Sequence, residues 1–198
     1  MKVLVLGANG RIARLVIERL LKDKNNSLLL YLKNTDRLSS YADDPRVQLV
    51  DGDVLDTDKL TKTIEANELD AVYSSVGGID LAEQTESIIH SMDANGLKRL
   101  VFISASGAHH EIPGKFGQWN EEAIADYLPG FRKSAESLEG SDLNYTIIRP
   151  AWLTDKDEID YELTGRNEAF KGTEVSRKSV ADLVVKALSD PDEYSYKV

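Results

Sequence analysis

The sequence contains no cysteine, and only 7% of its residues are aromatic. Without cysteine the chain forms no disulfide, has no thiolate nucleophile and holds no cysteine-ligated zinc. This composition fits a reducing compartment. No basic, apolar leader precedes the first predicted strand, so we expect a cytoplasmic protein. No apolar run is long enough to span a bilayer, which predicts no membrane partner.

Positive charge is also scarce, because 24 Lys and Arg face 34 Asp and Glu and leave a formal net charge of −10. The electric field of this net negative charge repels polyanions, which predicts no nucleic-acid partner. It does not exclude a small anionic cofactor, since a helix N-terminus and a few local bases act at contact range. A length of 198 residues with 41% hydrophobic content predicts one globular domain.

Apolar runs and helical periodicity alternate through most of the chain. Strands are predicted at Lys2–Leu6, Ser27–Lys33, Val47–Asp51, Ala71–Ser75, Arg99–Ser104 and Tyr145–Arg149. Helices are predicted at Arg11–Lys22, Thr35–Tyr41, Thr57–Ala66, Asp80–Asn95, Asn120–Leu138 and Ser176–Ser189. This alternation predicts a single α/β domain, built on a doubly wound parallel sheet with helices on both faces.

The C-terminal part departs from this rhythm. Residues 150–175 show no clear strand or helix period, and we expect them to form a small cap over an open or shallow pocket. The apolar stripe within Ser176–Ser189 predicts a helix that covers the sheet edge. The final segment, EYSYKV, has an alternating residue pattern, which predicts either a last strand at the sheet edge or a tail.

A glycine-rich turn follows the first predicted strand. Gly7, Gly10 and Ala13 form a GxxGxxA pattern between an apolar run and an amphipathic segment. Glycine at such a turn lets the backbone approach a pyrophosphate, and the next helix presents free N–H groups to it. The sequence therefore predicts a dinucleotide site.

The end of the second predicted strand indicates which dinucleotide is bound. In NAD-binding units an acidic residue there accepts hydrogen bonds from the ribose hydroxyls. Here the position is held by Lys33, with Arg37 nearby, and we expect Arg11 to add positive charge at the same place. These bases suit a 2′-phosphate, so NADP is favoured and NAD remains the alternative.

Small and polar residues follow three later strands, at the edge of the sheet where ligands bind in open α/β folds. They occur in the segments Gly52-Asp53-Val54, Ser75-Val76-Gly77-Gly78 and Ser104-Ala105-Ser106-Gly107. Asp53 is placed to accept from an adenine amino group. The second segment leaves room for a ribose and pyrophosphate, and the third would face the nicotinamide.

Four segments carry a family resemblance: VLGANGRIAR, VDGDVLD, RLVFISASGAH and SDLNYTIIRPAWLT. They resemble the atypical short-chain dehydrogenase/reductase family, in the branch of NmrA-like NAD(P)H-binding proteins and flavin or biliverdin reductases. The resemblance implies a Rossmann fold that binds NADP more often than NAD. By position, it implies a cofactor site formed by Gly7, Asn9, Gly10, Arg11, Ile12, Lys33, Asp53, Val54, Val76, Gly77, Ser104, Pro150 and Ala151, and we add Arg37 and Ser75 to this set.

The catalytic pair of short-chain dehydrogenases is missing. Those enzymes use Tyr and Lys at YxxxK spacing, but here Tyr127 is followed four residues later by Phe131. Pro129 and Gly130 indicate that the helix begins only after them, which leaves Tyr127 in a loop. No catalytic residue is assigned, and Ser104, Ser106 and Tyr127 are the weak candidates for polarising an acceptor.

Other conspicuous residues favour structural roles. His109 and His110 are adjacent and diverge, and the acidic run 154–162 lacks calcium-loop spacing, so no metal site is predicted. Trp119 and Trp152 are typical of core or rim packing, although Trp152 could also form an apolar floor for a planar acceptor.

The main hypothesis is an NADPH-dependent oxidoreductase that transfers hydride to a small planar acceptor, such as a flavin or quinone, without a Tyr/Lys dyad. The alternative is a non-catalytic NADP(H)-binding redox sensor. A nucleotide-sugar epimerase or dehydratase is disfavoured, because those enzymes usually carry YxxxK and a larger C-terminal region. The sequence leaves the oligomeric state open.

Overall fold

Six parallel strands form the central sheet of the computed structural model, which describes residues 1–198. The strands are β1 (Lys2–Leu6), β2 (Ser27–Leu32), β3 (Val47–Asp51), β4 (Ala71–Ser74), β5 (Arg99–Ile103) and β6 (Asn144–Ile148). Their order is β3-β2-β1-β4-β5-β6, so the sheet winds in opposite directions on either side of β1. This reversal opens a crevice beyond the carboxyl ends of β1 and β4.

Helices cover both faces of the sheet. They are α1 (Arg11–Leu20), α2 (Thr57–Glu65), α3 (Leu81–Ala94), α4 (Gly114–Ala123), α5 (Leu128–Glu139), α6 (Arg177–Ser189) and α7 (Pro191–Tyr194), and a 3-10 helix spans Thr35–Tyr41. Val3 and Val5 of β1 belong to the core that includes α1 and α6. Leu4 and Leu6 belong to the opposite core, which includes α2, α3 and α5. Both faces of β1 are buried, which explains its continuous apolar sequence.

The predicted α/β fold is confirmed, but two helix predictions were wrong. The helix expected at Asn120–Leu138 is two helices, because α4 ends at Ala123 and α5 begins at Leu128. Tyr127 does precede the helix, yet α5 includes Pro129 in its first turn, where the missing N–H has no helical partner to lose. The last long helix, α6, does not cover the sheet edge. Its residues Val180 and Val184 pack on the sheet face beside α1.

The cap contains two short strands that the sequence did not predict, β7 (Trp152–Thr154) and β8 (Glu174–Ser176). They pair in parallel, and at three residues each they are too short to show a period. In the final segment, Tyr194 ends α7, and the tail joins β6 through a single bridge between Lys197 and Thr146. None of the helices combines the length and apolar character needed to cross a bilayer.

Candidate functional site

The glycine turn after β1 packs directly against the end of β4. Gly7 has φ +70°, and a Cβ at this position would lie 2.9 Å from the carbonyl oxygen of Ser75. A Cβ on Gly10 would lie 3.2 Å from the Gly7 carbonyl oxygen. Glycine is therefore required at Gly7 both for its backbone conformation and for the close approach of the two strand ends.

The N-terminus of α1 is left open by this turn. Its N-cap residue is Gly10, which has no side chain to cap the helix, and the first turn contains no acidic residue. The backbone N–H groups of Arg11, Ile12 and Ala13 donate no hydrogen bond within the protein. These groups and the positive end of the helix dipole form a cradle suited to a phosphate.

Lys33 and Asp53 meet just beyond β2 and β3. The Lys33 Nζ lies 2.5 Å from Asp53 Oδ2. The hydrogen bond from Lys33, followed by one from the backbone N–H of Leu55, lowers the pKa of Asp53 below its ordinary value. Tyr31 supports this corner by donating its hydroxyl to the Asp53 carbonyl oxygen at 3.1 Å. Gly52 is needed here, because a Cβ would lie 2.3 Å from the Tyr31 ring.

Arg11, which we expected to add charge beside Lys33 and Arg37, has its side chain directed elsewhere in the structure. The Arg11 guanidinium pairs instead with Asp155 of the cap, which also binds Arg177 at 2.9 Å. The arginine that reaches Arg37 is Arg14. Its Nη2 donates to the Arg37 carbonyl oxygen at 2.7 Å and to Asn9 Oδ1 at 2.6 Å. Arg14 lies one helical turn after Arg11, and that spacing was the available sequence signal.

The ends of β5 and β6 are joined at the other side of the crevice. The N–H of Ser104 donates to the Ile148 carbonyl oxygen at 2.8 Å, and the N–H of Ser106 donates to that of Pro150 at 3.3 Å. Both serines are buried, whereas Tyr127 is 46% exposed. The other predicted residues at this end are Val76 and Ala151, which are half-buried, and Gly77, which is exposed.

Glu111 organises a buried polar cluster that sequence reasoning missed. Its carboxylate accepts from the N–H groups of Gly107 at 2.8 Å and His109 at 2.9 Å, and lies 3.4 Å from Arg149 Nη1. The side chains of Glu111 and Arg149 are only 3% and 4% exposed. Burial lowers the pKa of Arg149. The cluster also holds the cap, because the N–H of Phe170 donates to the Glu111 carbonyl oxygen at 3.0 Å.

His109 belongs to the same cluster, with its Nε2 3.0 Å from Glu139 Oε1. Burial first, and then the charge of Arg149, lowers the pKa of His109 below 6.5. The unfolded chain therefore binds the proton more tightly than the folded chain. We expect the free energy of unfolding contributed by this residue to be retained above about pH 6.5 and lost as the pH falls below it.

Denaturant unfolding at several pH values would measure this effect. His109→Gln should flatten the dependence of the unfolding free energy on pH just below 6.5. His90→Gln, which replaces a histidine at an exposed position, serves as the control. Equal slopes for wild type and His109→Gln would contradict the assignment.

Two surfaces flank Pro150 and Ala151. On one side, the rings of Trp119 and Trp152 lie 4.8 Å apart and are exposed to solvent. Neither tryptophan is buried in the core, so of the two expected packing roles only the one at the rim is compatible with the structure. On the other side, a cavity of about 510 Å³ lies between β6, α6 and residues 160–172 of the cap, and Leu163 lines it.

A family model described as NAD(P)H-binding matches residues 7–191, which include the glycine turn, all the later strand ends and the cap. The chain belongs to this NAD(P)H-binding family. The family assignment confirms the predicted cofactor class and agrees with the open N-terminus of α1.

Solved structures and curated proteins agree with the family. A Rossmann-fold NAD(P)-binding family protein from Shigella flexneri is 39% identical, covering 99% of this chain and 90% of that one, with a TM-score of 0.81. A short-chain dehydrogenase/reductase (wide type) from Veillonella parvula, solved with NADP, is 26% identical over 99% and 91% of the two chains, with a TM-score of 0.91. Eugenol synthase 2 from Clarkia breweri is 30% identical over 96% of this chain, which spans 65% of that protein. The chain is thus an NAD(P)-binding, oxidoreductase-like Rossmann protein.

Proposed function

We propose that this protein is an NADPH-dependent oxidoreductase that transfers hydride to a small planar acceptor without a Tyr/Lys dyad. The observation that carries the proposal is the open N-terminus of α1 behind a glycine turn seated on Ser75. In support, the similar Veillonella parvula protein was solved with NADP.

In this proposal the cofactor lies across the carboxyl edge of the sheet. The turn residues Gly7, Asn9, Gly10, Arg11 and Ile12 hold the pyrophosphate. Lys33 and Arg37 hold the 2′-phosphate, Asp53 and Val54 hold the adenine, and Ser75 and Gly77 lie beside the ribose. Val76, Ser104, Pro150 and Ala151 orient the nicotinamide. A bound NADPH supplies the hydride, and the protein's part is to position it against the acceptor.

The geometry of α5 supports a reaction without a tyrosine acid. Phe131, at the position that the dyad lysine would hold, packs partly buried against the core. Arg132 pairs with Glu121 at 2.5 Å. Reduction of a quinone or flavin takes its proton from water, so no protein acid is required, and we assign none.

Anaerobic NADPH oxidation with a panel of quinones, flavins and azo dyes tests the proposal, alongside titration of NADPH and NADP into the protein. Turnover well above the rate in free solution supports an oxidoreductase. Tight binding that differs between the two redox forms, with no turnover, would favour the redox sensor. Failure of both nucleotides to bind would contradict the cofactor site itself.

Cofactor preference gives a separate prediction at Lys33. Removing its charge in Lys33→Ala should raise the Kd for NADPH about 10-fold, because one charge-assisted contact to the 2′-phosphate is lost. The Kd for NADH should be unchanged. Lys24→Ala removes the same charge from an exposed position three residues before β2 begins, at the amino ends of the strands. It should change the affinity for neither nucleotide. Equal losses for NADPH and NADH in Lys33→Ala would contradict this role, and calorimetric titration of the wild type and both variants measures all six constants.

A further inference from the structure

Three aromatic side chains form an exposed surface beside the proposed nicotinamide end, which we call the aromatic platform: Phe116, Trp119 and Trp152. The ring centroids of Trp119 and Trp152 are 4.8 Å apart at 45°, and those of Phe116 and Trp119 are 5.6 Å apart at 23°. Trp119 is 49% exposed and Trp152 is 39% exposed. The chain thus leaves both of its tryptophans open to solvent.

Separate elements bring the platform together. Phe116 and Trp119 are three residues apart on α4, so their side chains share one face of the helix. Trp152 begins β7, and its neighbour Leu153 packs into the core beside α6. Strand alternation places Trp152 on the opposite face, away from that core.

A buried amide holds the platform in a fixed orientation. Asn120 is 1% exposed, and its Oδ1 accepts the indole N–H of Trp152 at 2.9 Å. Its Nδ2 donates to the carbonyl oxygen of Ser106 at 3.1 Å. A Cβ on Gly107 would lie 2.9 Å from that same Nδ2, so the fit is close. The loop after β5 therefore fixes the Trp152 ring through Asn120.

The same loop reaches the proposed nicotinamide position. The N–H of Ser106 donates a hydrogen bond to the carbonyl oxygen of Pro150, and Trp152 lies two residues after Pro150. The platform is thus connected on both sides to the residues proposed to orient the reactive ring.

The area of the platform fits a small molecule better than a protein. About half of two indoles and part of one phenyl ring expose a few hundred Å² at most. A stable protein interface uses about 800 Å² on each partner. One flat conjugated ring system is small enough to stack on the exposed part of these rings.

We propose that the aromatic platform binds the planar ring of the hydride acceptor, of the flavin or quinone class, and that Asn120 is its positioning residue. This inference rests on the proposed function. With a quinone, hydride from NADPH and one proton from water give the hydroquinone and NADP⁺, so the electrons and protons balance. The platform takes no part in bond making and only holds the ring against the nicotinamide.

Binding of lumiflavin, measured by quenching of its own fluorescence with and without saturating NADP⁺, tests the platform independently of turnover. Trp119→Ala should raise the Kd for lumiflavin about 10-fold, and Trp119→Phe should restore most of the affinity. The Kd for NADPH should be unchanged in both. Leu163→Ala, in the cavity on the other side of Pro150, is the matched control and should have no effect.

Asn120 has its own readout. In the Trp119→Phe background all tryptophan emission comes from Trp152, because the chain has two tryptophans. Asn120→Leu should shift that emission to the red and weaken lumiflavin binding, as the freed indole turns into water. If Asn120→Leu does not fold, the Trp119 variants still decide the main question.

Three outcomes would overturn the inference: unchanged lumiflavin affinity in Trp119→Ala, a loss in Leu163→Ala instead, or self-association of the wild type that Trp119→Ala abolishes. Lumiflavin binding without NADPH oxidation by any acceptor would support the platform while contradicting the proposed enzyme. Turnover of an acceptor that no platform variant alters would support the proposed enzyme and contradict the platform.

Discussion

Gly7→Val is expected to abolish NADPH binding at ordinary cofactor concentrations. A β-branched residue is strained at φ +70°, and its Cβ would lie 2.9 Å from the Ser75 carbonyl oxygen. The turn can relieve this contact only by moving, which displaces the N–H groups of α1. Loss of two hydrogen bonds to a charged phosphate, about 1.5–3 kcal/mol each, raises the Kd at least about 100-fold. Calorimetric titration with NADPH measures the change.

Gly96→Val is the matched control for this variant. Gly96 has φ +64°, but a Cβ there would meet nothing within 4 Å, and it follows the C-terminal end of α3. Valine at this position therefore introduces similar backbone strain without the steric contact. We expect a lower melting temperature with normal NADPH affinity. Similar affinity losses in both variants would mean that general destabilisation, not the turn, explains the result.

Glu111→Ala should cause a large loss of stability. It removes the buried acceptor for two backbone N–H groups and leaves the guanidinium of Arg149 buried without its partner. Breaking a buried pair in this way costs about 3–5 kcal/mol of unfolding free energy. Urea unfolding followed by far-UV circular dichroism measures the loss.

Two further variants show which lost interaction causes the loss of stability. Glu122→Ala removes the same type of side chain from an exposed position on α4 and should change stability little. Adding Arg149→Met to Glu111→Ala removes the uncompensated charge and should recover part of the loss. No recovery in the double variant would show that the lost backbone contacts, rather than the buried charge, dominate.

The sequence was sufficient for the sheet and the glycine turn because both are local in origin. Continuous apolar runs identify strands buried on both faces, such as β1, and the bounds of β1 and of the half-exposed β3 are as predicted. The boundaries of β2, β4, β5 and β6 shift by one residue. The spacing of Gly7 and Gly10 could be recognised in the sequence because the turn after β1 requires small residues at these positions.

The remaining features depend on contacts between residues far apart in the chain. Trp119 meets Trp152 only because β7 returns beside α4, and no period in residues 150–175 indicates this contact. Glu111 resembles an ordinary surface acid until its contact with Arg149, 38 positions later, becomes known. The break between α4 and α5 was anticipated only in part, because Pro129 and Gly130 were expected before the helix, whereas α5 begins at Leu128 and includes both.

The two exposed pairs at the crevice have a consequence for cofactor exchange. Lys33 is paired with Asp53 and Arg11 with Asp155, so two of the three cations proposed to contact a phosphate already carry an anion from their own chain. Exposed pairs of this kind hold weakly in water. A departing dinucleotide would leave behind re-formed pairs instead of bare cations. The aspartates would then act as internal counterions, so that loading and release of the cofactor become an exchange of anions at nearly constant local charge.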